Sequence, residues 1–171
     1  MLIEPMDRPR PPVGGKTVGL GIAAATAAAI FATIAGWEGK ENDPYRDIVG
    51  VWTVCYGDTA SVTPGVRQSD AQCAERLDSQ VAAHAAPIIR CVPALRQPSR
   101  QNQLVASVSL AYNIGPSGFC RSTAARLFNA GQWRSGCDAF LRWNRAGGRI
   151  VRGLTNRRRA EHAICVRGLG A

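Results

Sequence analysis

The chain predicts a mostly helical α+β fold: a leading helix, a small β element and a larger helical lobe. Three observations carry this. Residues 17–36 form an uncharged run, TVGLGIAAATAAAIFATIAG. Residues 42–59 alternate polar and β-prone residues around the turn signals Asn42-Asp43-Pro44 and Gly50, as a short hairpin does. From Ser69 onward apolar residues recur at three- and four-residue steps, the period of a helix with one buried face. At 171 residues the chain has room for one domain with its own core.

The leading run is long enough to cross a bilayer, which takes about 20 residues. It is feebly hydrophobic, because eight of its twenty residues are Ala. A Pro-rich leader precedes it, with Arg10 and Lys16 at the membrane end. The positive-inside rule then keeps the N-terminus in the cytoplasm and exports the rest. Three readings stand side by side: an anchor that inserts and later leaves, a cleaved signal peptide with Ala-x-Ala sites such as Ala27-Ala28-Ala29, and an ordinary buried helix.

Ser69 and Gln72 form a capping-box pair that opens a helix with Cys73, Leu77, Val81, His84 and Ile88 on one stripe. His84 reads as a packed core residue. After a Pro-bounded break at 93–98, Ser99 is the expected N-cap of a second helix. Leu104, Val108, Ala111 and Tyr112 line its face, and Asn113-Ile114-Gly115-Pro116 ends it. Shorter helices are expected over 121–130, 132–143 and 155–166, with a Gly147-Gly148 turn before the last.

The formal net charge of +9 is unevenly placed. Residues 1–89 carry 7 Lys/Arg and 10 Asp/Glu, for −3; residues 90–171 carry 14 Arg and 2 acids, for +12. A basic lobe beside an acidic one suits a polyanionic partner: nucleic acid, a membrane surface or bacterial cell wall. The six cysteines form no C-x-x-C pair, and His84 and His162 complete no ligand cluster with them. Zinc is not expected. An even, widely spaced set reads as disulfides in an oxidising compartment.

Glu38, Asp47 and Thr53 follow directly behind the uncharged run. Two carboxyl groups across a glycosidic bond can hydrolyse it, one protonating the leaving oxygen and the other steering water. Glu38 closes an apolar stretch behind Trp37, the setting for the protonated member. Asp47 stands in a polar hairpin beside Arg46, the setting for the ionised one. Thr53, on the facing strand, has the hydroxyl to hold a water.

At these residues the chain resembles the phage-type lysozymes, endolysins of glycoside hydrolase family 24. Glu38-Gly39, Tyr45-x-Asp47, Gly50 and Thr53-x-x-x-Gly57 fall in that family's register. Tyr112-Asn113-Ile114-Gly115 is similar to the end of its long central helix, and Trp143 with Gly153-Leu154-x-x-Arg157-Arg158 is similar to its C-terminal lobe. The weak apolar N-terminus resembles the signal-anchor-release branch. The resemblance implies a two-lobed lysozyme fold with the cleft between the lobes. It implies hydrolysis of β-1,4 bonds between N-acetylmuramic acid and N-acetylglucosamine, with inversion and no cofactor or metal. It makes Glu38 the general acid and gives Asp47 and Thr53 the water. Asn113 and Trp143 are weaker candidates for sugar contact. From the family register, Cys55–Cys73, Cys91–Cys120 and Cys137–Cys165 are the expected disulfides. Asp58 stands where many relatives carry His, which leaves a buried His–Asp pair unassured.

The implied layout is a cytoplasmic leader at 1–16, a signal-anchor-release segment at 17–37 that also forms the first helix, and a catalytic domain at 38–171. The expected partners are peptidoglycan glycan strands, the inner membrane through 17–37 and the host secretion machinery, with the protein itself a monomer. It would be tethered first and periplasmic after release. Because the uncharged run ends at Trp37, membrane residence and a formed site are expected to exclude each other. The rival readings are an inactive or bacterial wall-remodelling lysozyme-like protein, and a nucleic-acid binder using Arg157-Arg158-Arg159.

Overall fold

The structure, a computed structural model, describes residues 15–170. All but the last two residues of the Pro-rich leader lie outside that range.

The uncharged run does not form one helix. It folds as α1 (Gly15–Gly19) and α2 (Ala24–Glu38). Leu20 and Gly21 donate back to the carbonyls of Thr17 and Val18 and close a turn. Gly21 takes φ +78°, a left-handed conformation that ends a helix at little cost only for glycine. Ile22 then turns into the core at 5% exposure. The single anchor helix expected over 17–37 is thus two pieces in this folded form. Among the described residues no helix is long and apolar enough to cross a membrane.

Asp78 fixes α1. Its carboxylate accepts from the backbone N–H of Lys16 at 3.0 Å and of Thr17 at 3.2 Å, and from the Thr17 hydroxyl. These are orphan donors of a helix start, and a carboxylate there also faces the positive end of the helix dipole. In α2, Ile30 and Ile34 are fully buried, each contributing about 1.5–3 kcal/mol of apolar burial. They seat α2 against α4 (Gln101–Ile114). The opposite side of α2 exposes Ala25, Ala29 and Ala32.

The β lobe follows at once. β1 (Glu41–Arg46) and β2 (Trp52–Cys55) pair antiparallel, with Tyr45 opposite Thr53 and Arg46 opposite Trp52. The expected capping box opens α3 (Asp70–Cys91): Gln72 N–H donates to Ser69 Oγ at 3.2 Å, and Ser69 N–H donates to Gln72 Oε1 at 2.7 Å. Cys73, Leu77, Val81 and Ile88 are buried as the stripe predicts. His84 departs from it. It is half-buried, with Nδ1 2.7 Å from the Gln80 carbonyl and its ring 4.9 Å from that of Tyr112. Ala85 takes the fully buried position instead, because a stripe of 3.6 period drifts past one strict set of steps.

Ser99 does not cap α4. Prolines 93 and 98 start two 3-10 turns, and Ser99 lies inside the second. All nine residues from Gln103 to Ala111 are buried, so α4 is the hub and touches α2, α3, α5 and α8. The helices after it are α5 (Pro116–Cys120), α6 (Thr123–Asn129) and α7 (Trp133–Asp138). The helix expected over 132–143 ends early and continues as a 3-10 turn over Ala139–Arg142. Gly147 and Gly148 join a small hairpin, β3 (Arg145–Ala146) and β4 (Arg149–Ile150), ahead of α8 (Arg152–Cys165).

Cys55–Cys73, Cys91–Cys120 and Cys137–Cys165 are disulfides, the same pairs the family register implies, with Cα separations of 5.1, 5.8 and 5.7 Å. They tie the β lobe to α3, the end of α3 to α5, and α7 to α8.

Candidate active site

Glu38 is the last residue of α2, and α2 ends where the β lobe begins. One carboxylate oxygen, Oε1, accepts from Arg157 Nη1 of α8 at 2.7 Å. The other, Oε2, faces Gly57, where an added Cβ would lie 4.0 Å away. Gly57 sits just beyond β2 at φ +81°, so a backbone suited to glycine brings the β lobe up to the carboxylate. Glu38 therefore stands at the junction of the two lobes, its side chain 24% exposed. Its surroundings are more polar than the sequence suggests. Trp37 is exposed at 39%, and the Arg157 guanidinium lies over its ring at 6.0 Å, so a cation rather than an apolar wall touches the carboxylate.

Arg157 is only 8% exposed in its side chain and is held from behind. Its Nε donates to Glu161 at 3.1 Å and its Nη2 to the Ser109 carbonyl at 3.2 Å. Arg158, fully buried, donates to Glu161 at 3.0 Å and to Asn113 Oδ1 at 3.1 Å. Two of the three arginines of 157–159 are thus inside the molecule. Arg157 and Arg158 face inward to carboxylates, so the cluster offers an outside partner Arg159 alone.

Asp47 is at the hairpin tip. Its Oδ1 accepts from the N–H of Val49 at 3.0 Å and of Val51 at 2.8 Å, the Asx-type closure of a turn. Arg46 is turned away from it. Its guanidinium donates to the Gly50 carbonyl at 2.6 Å and covers the Trp52 ring at 4.7 Å. Thr53, on β2 and 4% exposed, donates to the Val51 carbonyl at 3.2 Å. Asp47 and Thr53 therefore grip the two sides of Val51. Among the described hydrogen bonds none joins Glu38 to either of them.

Tyr112 of α4 closes the floor between α2 and the β lobe. Its hydroxyl donates to the Tyr56 carbonyl at 2.9 Å, and Phe31 of α2 packs edge-on to Tyr56 at 5.9 Å. Burial, then the charges of Glu38 and Asp58, push the Tyr112 hydroxyl up, against a smaller lowering by Arg157. It stays a neutral donor. Asp58 pairs with Arg76 of α3 at 2.7 Å. The same guanidinium holds the carbonyls of Ala60 at 2.8 Å and Ser61 at 3.2 Å, so this pair braces the loop behind the site. Asn113 is exposed at the end of α4, and Trp143 is 37% exposed.

Sequence reasoning missed Arg157, Glu161 and Arg76 as parts of the site. The spacing of Arg157 and Glu161, four apart on a helix, was the available signal.

The phage lysozyme family matches residues 35–161. The chain belongs to that family. As a phage lysozyme it is a peptidoglycan muramidase. The SAR-endolysin of Enterobacteria phage P21 is 38% identical over 134 residues, covering 78% of this lysozyme and 79% of the relative. Among solved structures, the active form of the P1 phage endolysin Lyz superposes with a TM-score of 0.78 at 28% identity, covering 90% of this chain and 91% of that one. The secreted inactive form of the same P1 endolysin superposes with a TM-score of 0.51 at 26% identity, covering 71% and 82%.

Proposed function

We propose that this lysozyme is an endolysin that lyses its host by hydrolysing the β-1,4 bond between N-acetylmuramic acid and N-acetylglucosamine. In this reading it is exported in an inactive, membrane-tethered form and becomes active on release into the periplasm. Glu38 is the general acid and protonates the leaving oxygen. Asp47 activates the attacking water, and Thr53 helps to place it. Asn113 and Trp143 contact the glycan. The observation that carries the assignment is Glu38, held at the lobe junction by Arg157 at 2.7 Å.

Two things support the tether. The relatives are named SAR-endolysins. The fold uses residues 24–38 as a packed helix that ends in the acid, and a helix in the bilayer cannot fill that place. The greater likeness to the active than to the secreted inactive form of the P1 endolysin fits a released state.

Clearing of outer-membrane-permeabilised Gram-negative cells by wild type and by Glu38→Gln tests the chemistry. A general acid supplies roughly 10²–10⁴-fold, so the variant should lose at least about 100-fold. Equal clearing by both would sink the assignment of Glu38, and no clearing by either would favour an inactive wall binder.

A further inference from the structure

An arginine against a general acid poses a problem. It holds the carboxylate in place, yet it sets a positive charge against the group that must deliver a proton. The cluster behind Glu38 contains an answer. Glu161 has no exposed side-chain surface. Its Oε1 accepts from Arg157 Nε at 3.1 Å, Arg158 Nη2 at 3.0 Å and Ser109 Oγ at 2.7 Å. Its Oε2 lies 2.7 Å from Arg158 Nε, a charge contact out of line for a hydrogen bond. Burial pushes the Glu161 carboxyl up and the Arg158 guanidinium down, while their mutual contact opposes both shifts.

Arg157 is therefore shared between two carboxylates, one sealed in the core and one at the cleft. With Glu38 ionised, the four groups carry two positive and two negative charges. With Glu38 protonated, they carry a single net positive charge. Without Glu161 that second state would carry two.

We propose that Glu161 is a positioning residue that keeps Glu38 able to hold its proton, by taking up the charge of Arg157 and Arg158. The proposal rests on Glu38 being the acid. The other groups around Glu38 are already engaged. Tyr112, from α4, is neutral. Asp58 behind it is paired with Arg76. On the segment after Glu38, Lys40 is paired with Asp70 at 2.8 Å, Glu41 accepts from the Asp43 N–H at 3.3 Å, and Asp47 accepts from its own turn.

The sign follows from charge alone. Removing the negative charge of Glu161 makes a protonated Glu38 less favourable, so the acid is lost at lower pH. Removing the positive charge of Arg158 does the opposite. The experiment is the pH dependence of reducing-end release from purified peptidoglycan, at substrate below saturation, for the folded full-length enzyme. In Glu161→Gln the alkaline limb should move down by roughly one pH unit, which costs up to about tenfold in rate on that limb. In Arg158→Gln it should move up. Glu161→Asp, which keeps the charge, should stay near wild type.

Limbs that stay at the wild-type pH, or that move the same way in both variants, overturn the proposal even if overall activity drops. Should Glu161→Gln fail to fold, Arg158→Gln decides alone, and an unmoved or lowered limb overturns it. Glu38→Gln is run alongside. If it remains active, the assignment of the acid is what has failed. If it is inactive and the limbs do not move, only the role of Glu161 has.

Discussion

Gly136 of α7 has no room for a side chain. A Cβ built there would run into the ring of Phe128 and sit 3.3 Å from the Ala124 carbonyl. Phe128 is itself fixed, stacked on Trp133 at 5.1 Å and edge-on to Phe140 at 6.1 Å. Gly136→Ala should therefore cost about 1–3 kcal/mol by overpacking, read as a lower urea midpoint with an unchanged slope. Nothing in the sequence singles out Gly136 among the 18 glycines, because the clash is with a ring eight positions away whose rotamer is set by other helices. Glu38 and Asp47 are legible, since their spacing and neighbours carry the family pattern. Arg157 as the partner of Glu38 is not, because 119 positions separate them and only the packing of α8 beside α4 brings them together.

Among the elements, α2 carries two demands at once. Its buried side must offer Ile30 and Ile34 to the core, while in the proposed tethered state the whole run must tolerate lipid. Ala25, Ala29 and Ala32 lie outside the core, on the face that folding leaves free. Leu at all three positions should raise membrane affinity without touching the packing beneath. The expected result is full-length protein retained in the membrane fraction, with delayed lysis; Lys at Ala29 should speed release. Full muramidase activity from the membrane-retained Leu variant would disprove the exclusion of tether and site. Asp78 belongs to the same argument. It holds the N–H groups of Lys16 and Thr17, a contact open to it only when those residues lie on the same side of the membrane as α3.

The molecule as a whole relies on cross-links as much as on its core. Cys91–Cys120 spans 29 positions and joins α3 to α5 across the helical lobe. On the loop-closure estimate, removing it as Cys91→Ala/Cys120→Ala should cost ~3–4 kcal/mol. Urea unfolding of the double variant checks this, and a midpoint equal to wild type would show that the bridge adds little beyond the packing of α3 on α5. Charge is likewise divided at this scale. The C-terminal half carries +12, and the two arginines turned inward at 157 and 158 are largely offset by Glu38 and Glu161, so the remaining basic groups set the outer field. That field suits an anionic wall polymer.

The sequence by itself determined what neighbours in the chain can decide. The Ser69–Gln72 cap, the hairpin within 42–59, the stop at Gly115 and the family pattern around Glu38 all rest on residues near one another in the chain, whose backbone hydrogen bonds and turn conformations are local. Tertiary structure alone decided that the uncharged run breaks at Gly21, that Glu38 is met by a guanidinium, and that Glu161 sits sealed behind it. Each of these depends on which distant surfaces come to lie together. A buried charge acquires its partners only when the helices that carry them have packed.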